Sequence, residues 1–190
     1  MYIKLSIASA LLMLAVSFNS SGQEESVADK QAVPAPLKSP QEIRQHLADY
    51  LFEAARIGED NIIREFALSH YDLNVRDEKG YSALILAAYH GHSSTVDLLI
   101  KNKADPCAKD NNGNTALMGA LFKGELSIAR KLATADCDPD LRNNAGQTAA
   151  MYAAVFGRVE ILQQLKDRGA NINAKDASGN SAASLAAKAN

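Results

Sequence analysis

Apolar residues follow three regimes along this chain. From Leu5 to Phe18 they run almost unbroken (LSIASALLMLAVSF), from Gln23 to Ser39 they thin out, and from Leu47 onward they return in short clusters at helical spacing. Two kinds of cluster alternate in the third regime. One is alanine-rich, as in Ala83, Leu84, Ala87 and Ala88, or Ala149, Ala150, Ala153 and Ala154; the other carries larger groups, as in Val159, Ile161, Leu162 and Leu165. Each cluster predicts a short helix with one apolar face, and Gly91, Gly124 and Gly157 break the chain between the two. Ahead of them, Ser39-Pro-Gln-Glu reads as a capping box with Ser39 as N-cap, Pro40 at N1 and Glu42 at N3. A first helix is therefore expected from Pro40 to about Arg56, with polar Gln41, Arg44, Gln45 and Asp49 facing water as an end cap.

The clusters recur with a fixed period. Segments starting at Asp77 (DEKGYSALILAAYHG), Asp110 (DNNGNTALMGALFKG), Asn143 (NNAGQTAAMYAAVFG) and Asp176 (DASGNSAASLAAKAN) follow one another every 33 residues. Gly80, Gly113, Gly146 and Gly179 fall in register, as do the hydroxyls Ser82, Thr115, Thr148 and Ser181 and the alanines Ala87, Ala120, Ala153 and Ala186. Each Gly permits a turn, and the hydroxyl two positions later is placed to cap the helix that follows. The segment from Leu51 fits the same frame, with Ala54, Ala55 and Gly58 preceding Ala87, Ala88 and Gly91 by 33. A helix pair of this size buries little alone, so the units must stack.

These residues resemble the ankyrin repeat, whose pattern runs D-x-x-G-x-T-P-L-H-x-A-A, then G-H and an apolar helix, then G-A-D-x-N. The resemblance covers Leu47 to the C-terminus and is fullest at Asp77 to Asp110 and Asn143 to Asp176. It implies an all-α solenoid of stacked helix pairs with β-hairpin or turn fingers. About four to five repeats are expected within residues 40–190, at 45–76, 77–109, 110–142, 143–175 and a partial unit at 176–190. The family's proline is replaced by Ala83, Ala116, Ala149 and Ala182, and its histidine by Ile85, Met118, Met151 and Ser184, so the usual hydroxyl-to-imidazole bond is missing. The glycine that ends the second helix survives as Gly169 but is Lys103 and Asp136 in two earlier units, where softer turns are expected.

The two earlier regimes are read as address and tether. One charge at Lys4, fourteen largely apolar residues and a small polar exit at Asn19 to Gly22 form a secretory signal peptide over residues 1–22, with cleavage after Ser17 or after Gly22. The run is short of the roughly 20 residues a spanning helix needs, so no stable membrane anchor is expected. No cysteine lies near the junction to carry a lipid, and no twin arginine is present. Residues 23–39, with two prolines, three acids and two lysines, read as a flexible linker. Export places the protein in the periplasm or outside the cell. A net charge of −2 argues against a nucleic-acid partner, which would need a basic stripe.

Candidate chemistry is sparse. His90 and His92 flank Gly91, but Gly-His is the family's helix-to-helix turn and no further ligand stands at metal spacing, so neither metal nor cofactor is expected. His46 and His70 read as surface residues. Asp77, Asp110 and Asp176 recur at 33 and begin the finger turns, bonding their own backbone; Asp138 stands outside that series. Cys107 aligns with Asn74 and Asp140, whereas Cys137 aligns with the inward alanines Ala104 and Ala170. Units about 10 Å apart disfavour a bridge, which needs Cα atoms within about 7 Å, and leave it as the alternative. The expectation is a buried Cys137 and a partly exposed Cys107 thiol, although a nearby pair in an exported protein can oxidise.

The resemblance implies a non-catalytic module that binds a protein partner through its finger tips and the exposed side of its first helices. On this sequence that surface is Glu78, Lys79, Tyr81, Tyr89 and His90; Asn111, Asn112, Asn114, Phe122 and Lys123; and Asn144, Ala145, Gln147, Val155 and Phe156. The alternative for the larger rings is that Phe122 and Phe156 fill gaps between units. Exported bacterial proteins of similar build include some linked to periplasmic catalase, which implies a role in oxidant defence. An inhibitor or immunity protein against a toxin of the same compartment is the alternative, and an enzyme is disfavoured because no site can be assembled. The protein is expected to act as a monomer. Intact-mass measurement of periplasmic protein is expected to show loss of the first seventeen to twenty-two residues; a membrane-bound chain retaining Met1 would contradict the export reading.

Overall fold

The computed structural model describes residues 39–189. The signal peptide and all of the linker except Ser39 lie outside the described residues. The described chain forms nine helices in two layers. The first helix of each unit makes one layer: α1 (Pro40–Ile57), α3 (Ala83–Tyr89), α5 (Ala116–Lys123), α7 (Ala149–Val155) and α9 (Ala182–Ala189). The second helices make the other: α2 (Asp60–Leu68), α4 (Ser93–Lys101), α6 (Leu126–Ala133) and α8 (Val159–Asp167). Each helix from α1 to α8 packs on its partner and on the matching helices of adjacent units, and α9 packs on α7, so one core runs through the stack. Ala83, Ala87 and Ala88 of α3 and Ala150 and Ala153 of α7 are completely buried. Small side chains let these helices lie close together, while Ile63, Leu99, Ile128 and Ile161 fill the space between layers.

Helix starts follow the sequence reading. The Ser39 hydroxyl accepts from Glu42 N at 3.2 Å, and Ser82, Thr115 and Thr148 accept from Ile85, Met118 and Met151 N at 3.3–3.4 Å. These caps satisfy amides in the first turn of each helix. In the last unit Ser181 caps Ser184 N at 3.1 Å in the same way, and the Ser184 hydroxyl accepts from Ser181 N and donates to Ser181 O.

A finger precedes each first helix from α3 onward. Asp77 Oδ1 accepts from Lys79 N and Tyr81 N, Asp110 Oδ1 from Asn112 N and Asn114 N, and Asp176 Oδ1 from Ser178 N and Asn180 N. Asn143 does the same with its amide oxygen, accepting from Ala145 N and Gln147 N. The fingers then bond to one another: Asn111 N donates to Lys79 O, Asn144 N to Asn112 O and Ala177 N to Ala145 O, all at 2.9–3.0 Å. Gly113 shows what this closeness demands. Its φ is +79°, and a Cβ there would stand 2.8 Å from Asn144 Oδ1 and 2.9 Å from Asn143 Cα. Gly91 plays a similar part between helices, where a Cβ would meet the Glu125 carboxylate at 2.9 Å.

The cysteine expectation is overturned: Cys107 and Cys137 form a disulfide with Cα atoms 5.6 Å apart. The spacing of helices is the wrong ruler here, because the loops between units approach far more closely. Asn74 Oδ1 accepts from Asp105 N at 2.7 Å, and Asp140 Oδ1 accepts from Asn171 N at 2.9 Å. Cys107 occupies the equivalent position in the intervening unit, where the covalent bond replaces the hydrogen bond. Nor is Cys137 an inward site like Ala104 and Ala170; it is half-buried. The cause lies one residue earlier. His70, Lys103 and Gly169 take φ of +55°, +68° and +94° at the helix end, but Asp136 does not enter the left-handed region. Tyr71, Ala104 and Ala170 N close onto Phe66, Leu99 and Leu165 O, whereas Cys137 N closes onto Ala135 O. Of the two turns expected to be soft, Lys103 therefore adopts the strained geometry and Asp136 avoids it, with the bridge securing the altered loop.

Closing a segment of 30 residues, the disulfide is expected to contribute about 3–4 kcal/mol by limiting the unfolded chain. Urea unfolding of Cys107→Ser/Cys137→Ser against the oxidised protein measures this. Labelling of both thiols in unreduced, denatured protein would contradict the bridge.

Candidate functional site

The first helices turn one side toward the fingers, and this concave face carries side chains the core does not use. Tyr89, Phe122 and Val155 hold equivalent positions on α3, α5 and α7, and are 37%, 54% and 50% exposed. The rings of Tyr89 and Phe122 stack with centroids 6.3 Å apart and planes 13° from parallel. Phe156, one residue beyond the repeat position and half-buried, meets Phe122 edge-on at 5.8 Å. Lys123 Nζ lies 4.9 Å from the centre of the Tyr89 ring. Successive units thus bring Tyr89, Phe122 and Phe156 into one continuous aromatic ladder.

The finger residues divide by what their side chains already do. Asn111 Nδ2 donates to Glu78 O and Asn144 Nδ2 to Asn111 O, so these amides hold the fingers together. Asn114 Oδ1 accepts from Asn143 Nδ2 and from the Tyr152 hydroxyl, and Gln147 Oε1 accepts from Asn143 Nδ2. Glu78, Lys79 and Asn112 are exposed at the tips, beside Ala145. Tyr81 is half-buried at the foot of the first finger. Burial raises the pKa of its hydroxyl, and the nearby carboxylates of Asp110 and Asp77 add to the effect. His90 is exposed, with its pKa lowered by desolvation first and then by His92, Arg56 and Lys123. His92 is occupied in packing: its Nε2 lies 2.7 Å from Arg56 O of the preceding unit.

Three depressions follow one another along the face. The largest, about 550 Å³, lies between α1 and the first finger and is lined by Asp49, Arg56, Lys79, Tyr89 and His90 among others. The second, about 210 Å³, lies between Tyr89 and Phe122; the third, also about 210 Å³, lies beyond Phe122 and reaches Phe156 and Leu185. Gly119, Tyr152, Asp110 and Leu185 also line this surface and are not among its sequence-predicted residues. A signal for Gly119 was present: it stands in register with Leu86, Tyr152 and Leu185, so one unit carries a hydrogen where the others carry a large side chain.

A family model for ankyrin repeats (3 copies) matches residues 51–143 and 123–190. The chain belongs to the ankyrin repeat family, and its repeats make it a protein–protein interaction module of a kind that is generally non-catalytic. No curated protein matches the chain in a sequence comparison. Among the described residues, no helix is long and apolar enough to cross a membrane.

Proposed function

We propose that this protein is an exported, non-catalytic module that grips one protein partner along its concave face, acting as a monomer in the periplasm or outside the cell. The observation that carries this reading is the stacked, solvent-facing ladder of Tyr89 and Phe122 on successive first helices. Exposed rings outside the core are what binding hot spots use, since they bury a large area at little cost in flexibility. The candidate chemical groups support a non-catalytic role because they are engaged in structure: His92 on a backbone carbonyl, and Asp77, Asp110 and Asp176 on their own fingers. The Cys107–Cys137 disulfide supports an oxidising compartment. The narrower reading, drawn from exported proteins of similar build, is support of oxidant defence through a periplasmic catalase.

Tyr89→Ala/Phe122→Ala separates binding from folding. Exposed rings that touch mainly each other are expected to cost less than about 2 kcal/mol of stability, whereas deleting a buried Phe costs about 3–5 kcal/mol. Partner capture from periplasmic extract is expected to be lost, with Gln41→Ala on α1 as the unaffected control. A collapsed melting transition would show that the rings are core, and undiminished capture would place recognition elsewhere. Capture of a partner set that lacks catalase would refute the oxidant-defence reading alone.

A further inference from the structure

The depression between Tyr89 and Phe122 is built differently from its neighbours. Gly119 lines it, the one position of its repeat series without a side chain. A Cβ there would meet only Tyr89 Cδ2 at 3.7 Å, so close packing does not require the glycine. A glycine inside a helix costs about 1 kcal/mol relative to alanine, and here the return on that cost is an open slot. The rings of Tyr81, Tyr89, Phe122 and Tyr152 wall it.

At the finger end stands Asp110, 8% exposed and the one charged residue among the buried polar groups of the described chain. Its equivalents are placed differently: Asp77 has Arg56 Nη2 at 3.8 Å, Asn143 carries no charge, and Asp176 is half-buried rather than buried. Asp110 Oδ1 accepts two finger amides, but Oδ2 receives only Asn114 Nδ2 at 3.4 Å, and no cation of the described chain pairs with it. Buried charges are ordinarily paired. No lysine, arginine or histidine lines this slot, although both signs of charge line the larger depression beside it.

We infer that this slot receives one basic side chain of the partner, arginine or lysine. The aliphatic stem lies beside Gly119 along the ring walls, and the cationic head reaches toward Asp110. A carboxylate at the end of an aromatic-walled channel complements a guanidinium or ammonium group in both charge and hydrogen bonding. At about 210 Å³ the space is below the range of pockets that take drug-sized ligands, which suits a single side chain. The inference rests on the recognition reading above and specifies what the concave face selects.

The test uses the oxidised full chain and a phage-displayed library of random dodecapeptides as the probe. Selected peptides are expected to share one arginine or lysine, and synthetic versions with that residue changed to glutamine are expected to bind about tenfold or more weakly. Gly119→Leu, which fills the slot with the residue found at Leu86 and Leu185, and Asp110→Asn, which copies the working finger at Asn143, should each cause a similar loss. Thermal melts of both are expected to match wild type. An empty selection, peptides without a shared basic residue, or unchanged binding to either folded variant would overturn the inference. Peptides lost on Tyr89→Ala/Phe122→Ala but retained on Gly119→Leu would refute the slot and leave the recognition face standing; peptides indifferent to all of these variants would refute both.

Discussion

Backbone contact between neighbouring fingers governs the rest of the molecule. For Asn111, Asn144 and Ala177 N to reach the preceding fingers at 2.9–3.0 Å, every unit must present the same turn at the same height. The carboxylate or amide that opens each finger secures the turn by holding two of its own amides. The inner helices must then lie close enough for the fingers to meet, which is why their facing positions are alanine. The 33-residue period is the trace in sequence of this single requirement, because an insertion within one unit would break its bonds to both neighbours. Polar stitching therefore sets the geometry, and apolar burial supplies most of the stability.

The same geometry creates a surface that is free to vary. Residues on the inner helices that face the fingers lie outside the core, so Tyr89, Phe122 and Val155 remain exposed although the residue before each is buried. Two features set the middle unit apart: a glycine inside α5, and a buried carboxylate that holds its own finger but has no cation beside it. Departures from local consistency concentrated on one face mark where a fold serves something other than itself. Both features meet at the same 210 Å³ slot.

Legibility in the sequence follows from what repeats. The caps at Ser39, Ser82, Thr115 and Thr148, the finger role of Asp77, Asp110 and Asp176, and the pairing of helices all recur, so each copy confirms the others. The bridge between Cys107 and Cys137 was misread because their separation of 30 departs from the period. Judging it required knowing that loops, unlike helices, approach to hydrogen-bond distance. The altered turn at Asp136 was hidden for a related reason, since aspartate is compatible with either backbone path. On the candidate face, the aromatic residues were legible as large groups at outward positions. The slot was not, because it is defined by the absence of a side chain at Gly119 and by the missing partner of Asp110.

The central claim is that the concave face is where this protein meets its partner. Its most direct test is photocrosslinking in cells, with benzoylphenylalanine placed at position 122 on α5 or at the exposed position 163 on the outer helix α8. A higher-mass adduct from position 122 and none from position 163 is the result the account predicts. Adducts from position 163 with none from position 122 would contradict it.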